Sequence, residues 1–361
     1  MPKDFLQNLS NSQLLELIYE LWQNWFQNED LTVICNEYLE LNFDLLKQSF
    51  ETYSQLSFED LISLQKILIE KSHYPKDSKL NLFCGASTIP ITPFPEILYS
   101  LLLKTPIICR IPENYPIVFY DYFQSLIPSS LQDCIKFIHW SREDENMTQL
   151  MIDKADCIIV HGSDETIDQM KLIGNKKNIL GFGHKASFII CTLDKKVIPQ
   201  IIQDIKAFKQ QGCLSPQVIY ILTEKIKYTE LDEFAFELAN MIDSSGLHLS
   251  PEEAYQKQTF IEDICLSNDY RVYGNSVVFS SDKEFEYSIG NGLIWLKTVE
   301  KLEDLPHSLG RLRGRIGSVG QNLDNEDQNI LKQILPNTRI CKIGDMQNPS
   351  LFWLQEPTYI N

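Results

Sequence analysis

The stretch Lys209-Gln210-Gln211-Gly212-Cys213-Leu214-Ser215-Pro216-Gln217 sets one cysteine behind a glycine and ahead of a Ser-Pro pair. The apolar run Val218-Ile219-Tyr220-Ile221-Leu222 follows at once. Glycine, serine and proline favour a turn over a packed strand, so Cys213 reads as a sulfur presented at the mouth of a cleft. A thiolate in such a place is a nucleophile. It needs nearby positive potential or a helix N-terminus to lower its pKa. The chain has nine cysteines in all. Several of them, including Cys109, Cys157 and Cys191, lie inside apolar runs and read as buried free thiols.

Other candidates surround the glycine-bearing turns. In His161-Gly162-Ser163-Asp164-Glu165-Thr166, Gly162 allows close backbone approach. Ser163 can cap a helix whose free N–H groups favour a phosphate; an ordinary capped turn fits the same residues. Gly181 and Gly183, in Ile179-Leu180-Gly181-Phe182-Gly183-His184-Lys185, read as a tight passage before a strand. His184 is a candidate acid or base, or a solvent-facing turn residue, and Lys185 has the same two readings. Arg311-Leu312-Arg313-Gly314-Arg315 is a basic segment that breaks the acidic background.

Bulk properties narrow the class. A length of 361 residues suggests two lobes. A net charge of −17 argues against nucleic acid as a partner. No Cys-x-x-Cys pair suggests a metal, so no metal is expected. The cysteine usage fits a reducing, cytoplasmic setting. The apolar stretch 95–112 is broken by Lys104, Pro106 and Arg110, so no membrane span is expected.

Residues 1–76 read as a helical N-terminal segment, with Leu14, Leu15, Ile18, Leu21 and Trp22 at helical spacing and the aromatics there as packing. Ser57 with Asp60 reads as a capping box. From residue 80, β-rich runs at 80–84, 107–111, 134–138 and 157–160 alternate with helices at 94–103, 116–126, 143–153 and 164–172. Strands without polar alternation are buried on both faces, and their alternation with helices is the doubly wound pattern. A strand at 188–191, a helix at 195–209, strands at 218–222, 271–280, 292–299 and 338–343, and helices at 229–243 and 326–335 complete the reading.

In this order the motifs resemble the aldehyde dehydrogenase superfamily, and within it the LuxC-like acyl-CoA reductases. Cys213-Leu214-Ser215-Pro216-Gln217 is similar to that branch's Cys-Ser-Pro-Gln, with Leu214 interposed. Gly162-Ser163-Asp164-Glu165 resembles the superfamily's Gly-Ser-x-Glu. Arg110-Ile111-Pro112-Glu113 resembles its Lys-x-x-Glu, and Gly181-Phe182-Gly183-His184-Lys185 the branch's Gly-aromatic-Gly-x-Lys. Thr338 to Met346 resembles its C-terminal segment. The resemblance implies an aldehyde-dehydrogenase-like α/β fold of two doubly wound lobes: a nucleotide-binding lobe at 77–210, a catalytic cysteine lobe at 211–345 and an extended tail at 346–361.

The resemblance also implies the chemistry. Aligned on the superfamily's Glu-Leu-Gly-Gly-Lys, this chain has Gly181 where the base that hydrolyses the acyl enzyme stands. NAD(P)H-dependent reduction of an acyl-CoA, fatty acyl in class, to an aldehyde through an acyl-Cys213 is the implied reaction. Arg110, Glu113, Gly162, Ser163, Gly181 and Gly183 would meet the cofactor, NADPH or NADH. The Cys213 backbone N–H would be one oxyanion donor. The superfamily's second donor is an Asn, absent from residues 87–93, so a hydroxyl of Thr88 or Thr92 is the candidate. The partner is an acyl-CoA or acyl-carrier substrate, and the family suggests a homo-oligomer. Two alternatives stay open: a non-catalytic nucleotide- or partner-binding homologue, and an acyl-phosphate reductase for a small anionic substrate.

Overall fold

The computed structural model describes residues 2–28, 33, 43–85, 89–111, 113, 117–174, 177–225, 227–266 and 269–360. The chain divides into two compact units, Met1–His184 with Ser350–Asn361, and Lys185–Pro349.

The first unit opens with helices α1 (Pro2–Asn8), α2 (Asn11–Phe26), α3 (Phe43–Ser54) and α4 (Phe58–Lys71). Ser10 with Gln13 and Ser57 with Asp60 form capping boxes at the starts of α2 and α4, each satisfying donors a helix leaves open. Trp22 and Trp25 are fully buried. Their indole N–H groups donate to the carbonyls of Tyr53 (2.8 Å) and Phe123 (2.9 Å), so neither burial leaves a polar orphan. Trp25 also packs on Phe94, Phe123 and Phe137. The aromatic stripe is therefore core. The N-terminal helices belong to the same compact unit as the sheet rather than forming a segment of their own.

That sheet holds β1 (Asn81–Cys84), β2 (Ile107–Ile111), β3 (Ile135–His139), β4 (Cys157–His161) and β5 (Asn178–Phe182). Their spatial order is β5-β4-β1-β2-β3, all parallel. Helices α5 (Pro93–Leu102), α6 (Ile117–Ser125), α7 (Glu145–Lys154) and α8 (Asp164–Ile173) connect them. Strand order reverses between β1 and β4, the switch point at whose carboxyl side such sheets take ligands.

β5 is a strand where the sequence suggested only a glycine passage. Its glycines answer to packing: a Cβ on Gly181 would lie 2.8 Å from Ile167 Cγ2, and one on Gly183 would strike Asp164 and Thr358. The chain returns to this edge at its end. β13 (Tyr359–Ile360) pairs antiparallel with β5, and Thr358 donates its N–H to the Gly181 carbonyl at 2.8 Å.

The second unit holds β6 (Ala186–Cys191), α9 (Ile198–Lys206), β7 (Pro216–Leu222), α10 (Tyr228–Asp243), α11 (Pro251–Cys265), β8 (Tyr270–Tyr273), β9 (Val277–Ser280), β10 (Ile294–Val299), α12 (Leu305–Leu309), β11 (Ile316–Gln321), α13 (Asn325–Ile334) and β12 (Arg339–Lys342). Its strand order is β12-β11-β6-β7-β10-β9-β8, parallel except for the β8–β9 hairpin. Apolar clusters cover both faces, as continuous strands such as Phe188-Ile189-Ile190 require.

Three expectations shift here. The lobe boundary lies at 184/185 rather than 210/211, because β6 pairs with β7 and β11. The tail rejoins the first unit at Ser350 rather than 346. The strand expected at 271–280 is a hairpin, turned at Gly274 (φ 55°). β11 has no forerunner in the sequence reading, since its glycines interrupt the apolar signal.

Among the described residues no helix is long and apolar enough to cross a membrane. Trp25→Ala should destabilise the protein by about 3–5 kcal/mol in chemical denaturation. A loss below 1 kcal/mol would show that α2 is not part of the first unit's core.

Candidate active site

Cys213 sits just before β7, at the amino end of the second unit's sheet. The helix expected to run to 209 ends at Lys206, and the chain then takes an unusual path. Phe208, Lys209 and Gln210 all have positive φ, at 50°, 52° and 63°, a conformation that costs a non-glycine residue about 1–2 kcal/mol. It is held from several sides. The buried Gln210 amide donates to the carbonyls of Pro216 (2.7 Å) and Leu293 (2.8 Å). Asn291 N–H donates to the Lys209 carbonyl at 3.1 Å, and Lys209 Nζ pairs with Glu253 at 3.1 Å.

The nucleophile candidate rides on a turn closed by Ser215 N–H to the Gly212 carbonyl, 2.9 Å. Leu214 occupies that turn beside Cys213, which explains how a residue fits between cysteine and serine. Ser215 is fully buried, and its Oγ accepts from Gln347 Nε2 at 3.2 Å. Ser187 Oγ donates to the Cys213 carbonyl at 2.8 Å and accepts from Ser318 N–H at 3.0 Å. One hydroxyl thus ties the turn to β6 and β11. Gly317 is needed at the same place, because a Cβ there would come within 3.3 Å of the Cys213 carbonyl and 3.2 Å of Ser187 Oγ. Ser187, Ser318, Gly317 and Gln210 were not singled out from the sequence; a hydroxyl at the head of an apolar strand was the signal available for Ser187.

The sulfur is exposed, whereas Cys84, Cys109, Cys134, Cys157 and Cys191 are buried. Burial raises the thiols of Cys84 and Cys134 to about 11 and those of Cys157 and Cys191 to about 12. The Cys213 thiol also lies above the ordinary cysteine value: solvent reaches it, yet the protein packed around it desolvates the anion. The Lys185 ammonium and the residue's own N–H pull it back down. Lys185 is itself buried, at the head of β6. Among the described residues the Cys213 N–H donates to no backbone carbonyl.

The other sequence candidates lie in the first unit. Arg110 donates twice to the Trp140 carbonyl, at 3.3 and 3.1 Å, and lies over the Trp140 ring at 5.5 Å. Glu113 accepts from Arg142 N–H at 3.0 Å. The Ser141 hydroxyl and that N–H, helped by Arg110, hold its carboxyl below the usual range. Gly162 follows β4, and Ser163 caps α8 by accepting from Thr166 N–H at 3.2 Å. Asp164 and Glu165 occupy the first turn of α8 and already answer its dipole. Gly181 and Gly183 are spent on packing, as described above. His184 is exposed, and its N–H donates to Asp164 at 3.3 Å.

Thr88 lies outside the described residues. Thr92 donates its hydroxyl to the Ile89 carbonyl at 3.1 Å. Among the described residues no group of His, Cys, Asp or Glu could hold a metal ion.

Two measurements test this geometry. Alkylation of Cys213 by iodoacetamide should still be rising at pH 9, and Lys185→Met should move the profile to higher pH; superimposable profiles would show that the ammonium does not act on the sulfur. Ser187→Ala should cost about 1–3 kcal/mol, because the Cys213 carbonyl and Ser318 N–H lose their shared partner.

A family model described as acyl-CoA reductase (LuxC) matches residues 6–350. A long-chain acyl-protein thioester reductase from Aliivibrio fischeri is 26% identical over 161 residues, 42% of this chain and 33% of that protein. The match thus spans about a third of that relative's length. Among solved structures, a variant of Thermus thermophilus 1-pyrroline-5-carboxylate dehydrogenase has a TM-score of 0.70 at 11% identity, covering 98% of this chain and 81% of its own. A Bacillus cereus aldehyde dehydrogenase in complex with NAD+ gives 0.68 at 13% identity, covering 93% and 77%. These two share the fold. The match over residues 6–350 places the chain in the acyl-CoA reductase (LuxC) family.

Proposed function

We propose that the protein reduces an acyl-CoA thioester, with fatty acyl as the substrate class, to the aldehyde through an acyl-Cys213. The observation that carries this is the exposed thiol on a braced turn, with Lys185 beside it, in a chain of this family. Cys213 Sγ, as thiolate, attacks the thioester carbonyl; a carbon–sulfur bond forms, and CoA leaves with the electron pair and takes up a proton. The Cys213 N–H steadies the oxyanion formed in that step.

A bound reduced nicotinamide would supply the hydride that takes the acyl group to the aldehyde level. Collapse of the thiohemiacetal then frees the aldehyde and regenerates the thiol. Position 181 supports thiol exchange over hydrolysis. A side chain there would press on Ile167, and the glycine itself carries no carboxylate to activate water.

The donor set at the end of β2 fits the ribose end of such a cofactor. Glu113 offers an ionised, exposed carboxylate that accepts ribose hydroxyls and repels a 2′-phosphate, which favours NADH. Arg110 is turned to Trp140 and supports Glu113 rather than reading a phosphate.

The test is incubation of the protein with acyl-CoAs and NADH, following absorbance and aldehyde together. Cys213→Ala should abolish turnover, and mass spectrometry should find the acyl group on the Cys213 peptide when cofactor is withheld. An acylated protein without Cys213, or turnover surviving the substitution, would overturn the mechanism; turnover of acyl phosphates alone would favour the acyl-phosphate reading. Glu113→Gln should raise kcat/KM for NADPH relative to NADH, and an unchanged ratio would remove Glu113 from cofactor choice.

A further inference from the structure

The second unit contains a second ligand-sized feature, at the opposite end of its sheet from Cys213. β6 and β11 are neighbours, but the chain leaves them in opposite directions: β6 runs through α9 to β7, and β11 runs through α13 to β12. The two helices cover opposite faces, with Ile198 and Ile201 of α9 in one core cluster and Leu331 of α13 in the other. The sheet therefore has a switch point there, and the crevice beyond its carboxyl ends is where open α/β sheets take ligands. A cavity of about 660 Å³ lies at this place, within the range of about 300–1,000 Å³ common for small-molecule sites.

Its lining has one sign of charge. Lys196, Lys332 and Lys342 come from three different elements, and no aspartate or glutamate lines the cavity. In a chain of net charge −17 an acid-free cluster of this kind goes against the background. None of the three ammonium groups forms an ion pair among the described residues. Lys196 stands just before α9, and its N–H donates to the Asp194 carboxylate at 3.0 Å. The Asn322 carbonyl oxygen accepts Thr192 N–H at 3.3 Å, which leaves its amide to donate. Ile340 and Val197 supply apolar wall.

We propose that this crevice binds a nucleoside diphosphate, the lysines taking the phosphates and the apolar wall and amides taking the nucleoside. No residue of the Cys213 turn or of the first unit lines it.

The probes are ADP and inorganic pyrophosphate, with the full-length chain, by calorimetry at low salt. ADP should bind, more tightly than pyrophosphate, and should slow hydrogen exchange in peptides covering 192–200 and 321–343. Lys196→Glu with Lys332→Glu should weaken ADP at least about tenfold without lowering Tm, since both side chains are exposed. Cys213→Ala should leave ADP binding unchanged. Three results would overturn the proposal: no ADP binding; binding unaffected by the charge reversals, with protection confined to the first unit; or pyrophosphate binding as tightly as ADP, which would remove the nucleoside.

Discussion

The carboxamide of Gln210 is the contact on which the arrangement around Cys213 depends. Its two donated bonds, to Pro216 and Leu293, join the chain before the reactive turn to the starts of β7 and β10. Three consecutive residues in the left-handed region would relax without such a clamp. Their geometry reverses the chain between the end of α9 and the sheet, so that Gly212 and Cys213 emerge at the sheet's amino end instead of continuing a helix. The Ser187 hydroxyl completes the constraint from the other side, through β6 and β11. A nucleophile placed this way needs little reorganisation, which is what positioning contributes to a covalent step.

The electrostatics of the site are a balance rather than a single push. Desolvation raises the Cys213 thiol while Lys185 lowers it. An ammonium at the head of β6 acts strongly because it is buried, where charge is poorly screened. The same burial that suppresses ionisation of the sulfur strengthens the group that favours it. Cys109, Cys157 and Cys191 have burial with no cation to offset it, and at Cys84 and Cys134 burial outweighs Arg110 and Lys136.

Much of the first unit could be read from its residues. Runs such as Cys157-Ile158-Ile159-Val160 have no polar alternation, and burial on both faces follows from that. Ser57 with Asp60 announced a helix start, and the structure forms that capping box. What escaped was set by distant partners. β5 and β11 are strands whose glycines are demanded by Ile167, Asp164, Ser187 and Met346, none of them a sequence neighbour. Cys213 stood out through its local turn residues. Gln210 did not, because a glutamine between Lys209 and Gln211 carries no local sign that its amide will be buried. The unit boundary was misplaced for the same reason: β6 follows the glycine turn in sequence but pairs with strands that come later.

Gly181 brings fold and chemistry together. Its missing side chain lets Ile167 of α8 close against β5, and its carbonyl accepts both the N–H and the hydroxyl of Thr358, fixing the C-terminal strand to the sheet edge. A side chain at this position would have to shift Ile167 of α8. On the proposed chemistry, thiol exchange needs no water-activating base, and a Cβ at 181 would press on Ile167 Cγ2 at 2.8 Å. A substitution meant to restore hydrolysis at Gly181 therefore acts first on stability and only afterwards on the reaction.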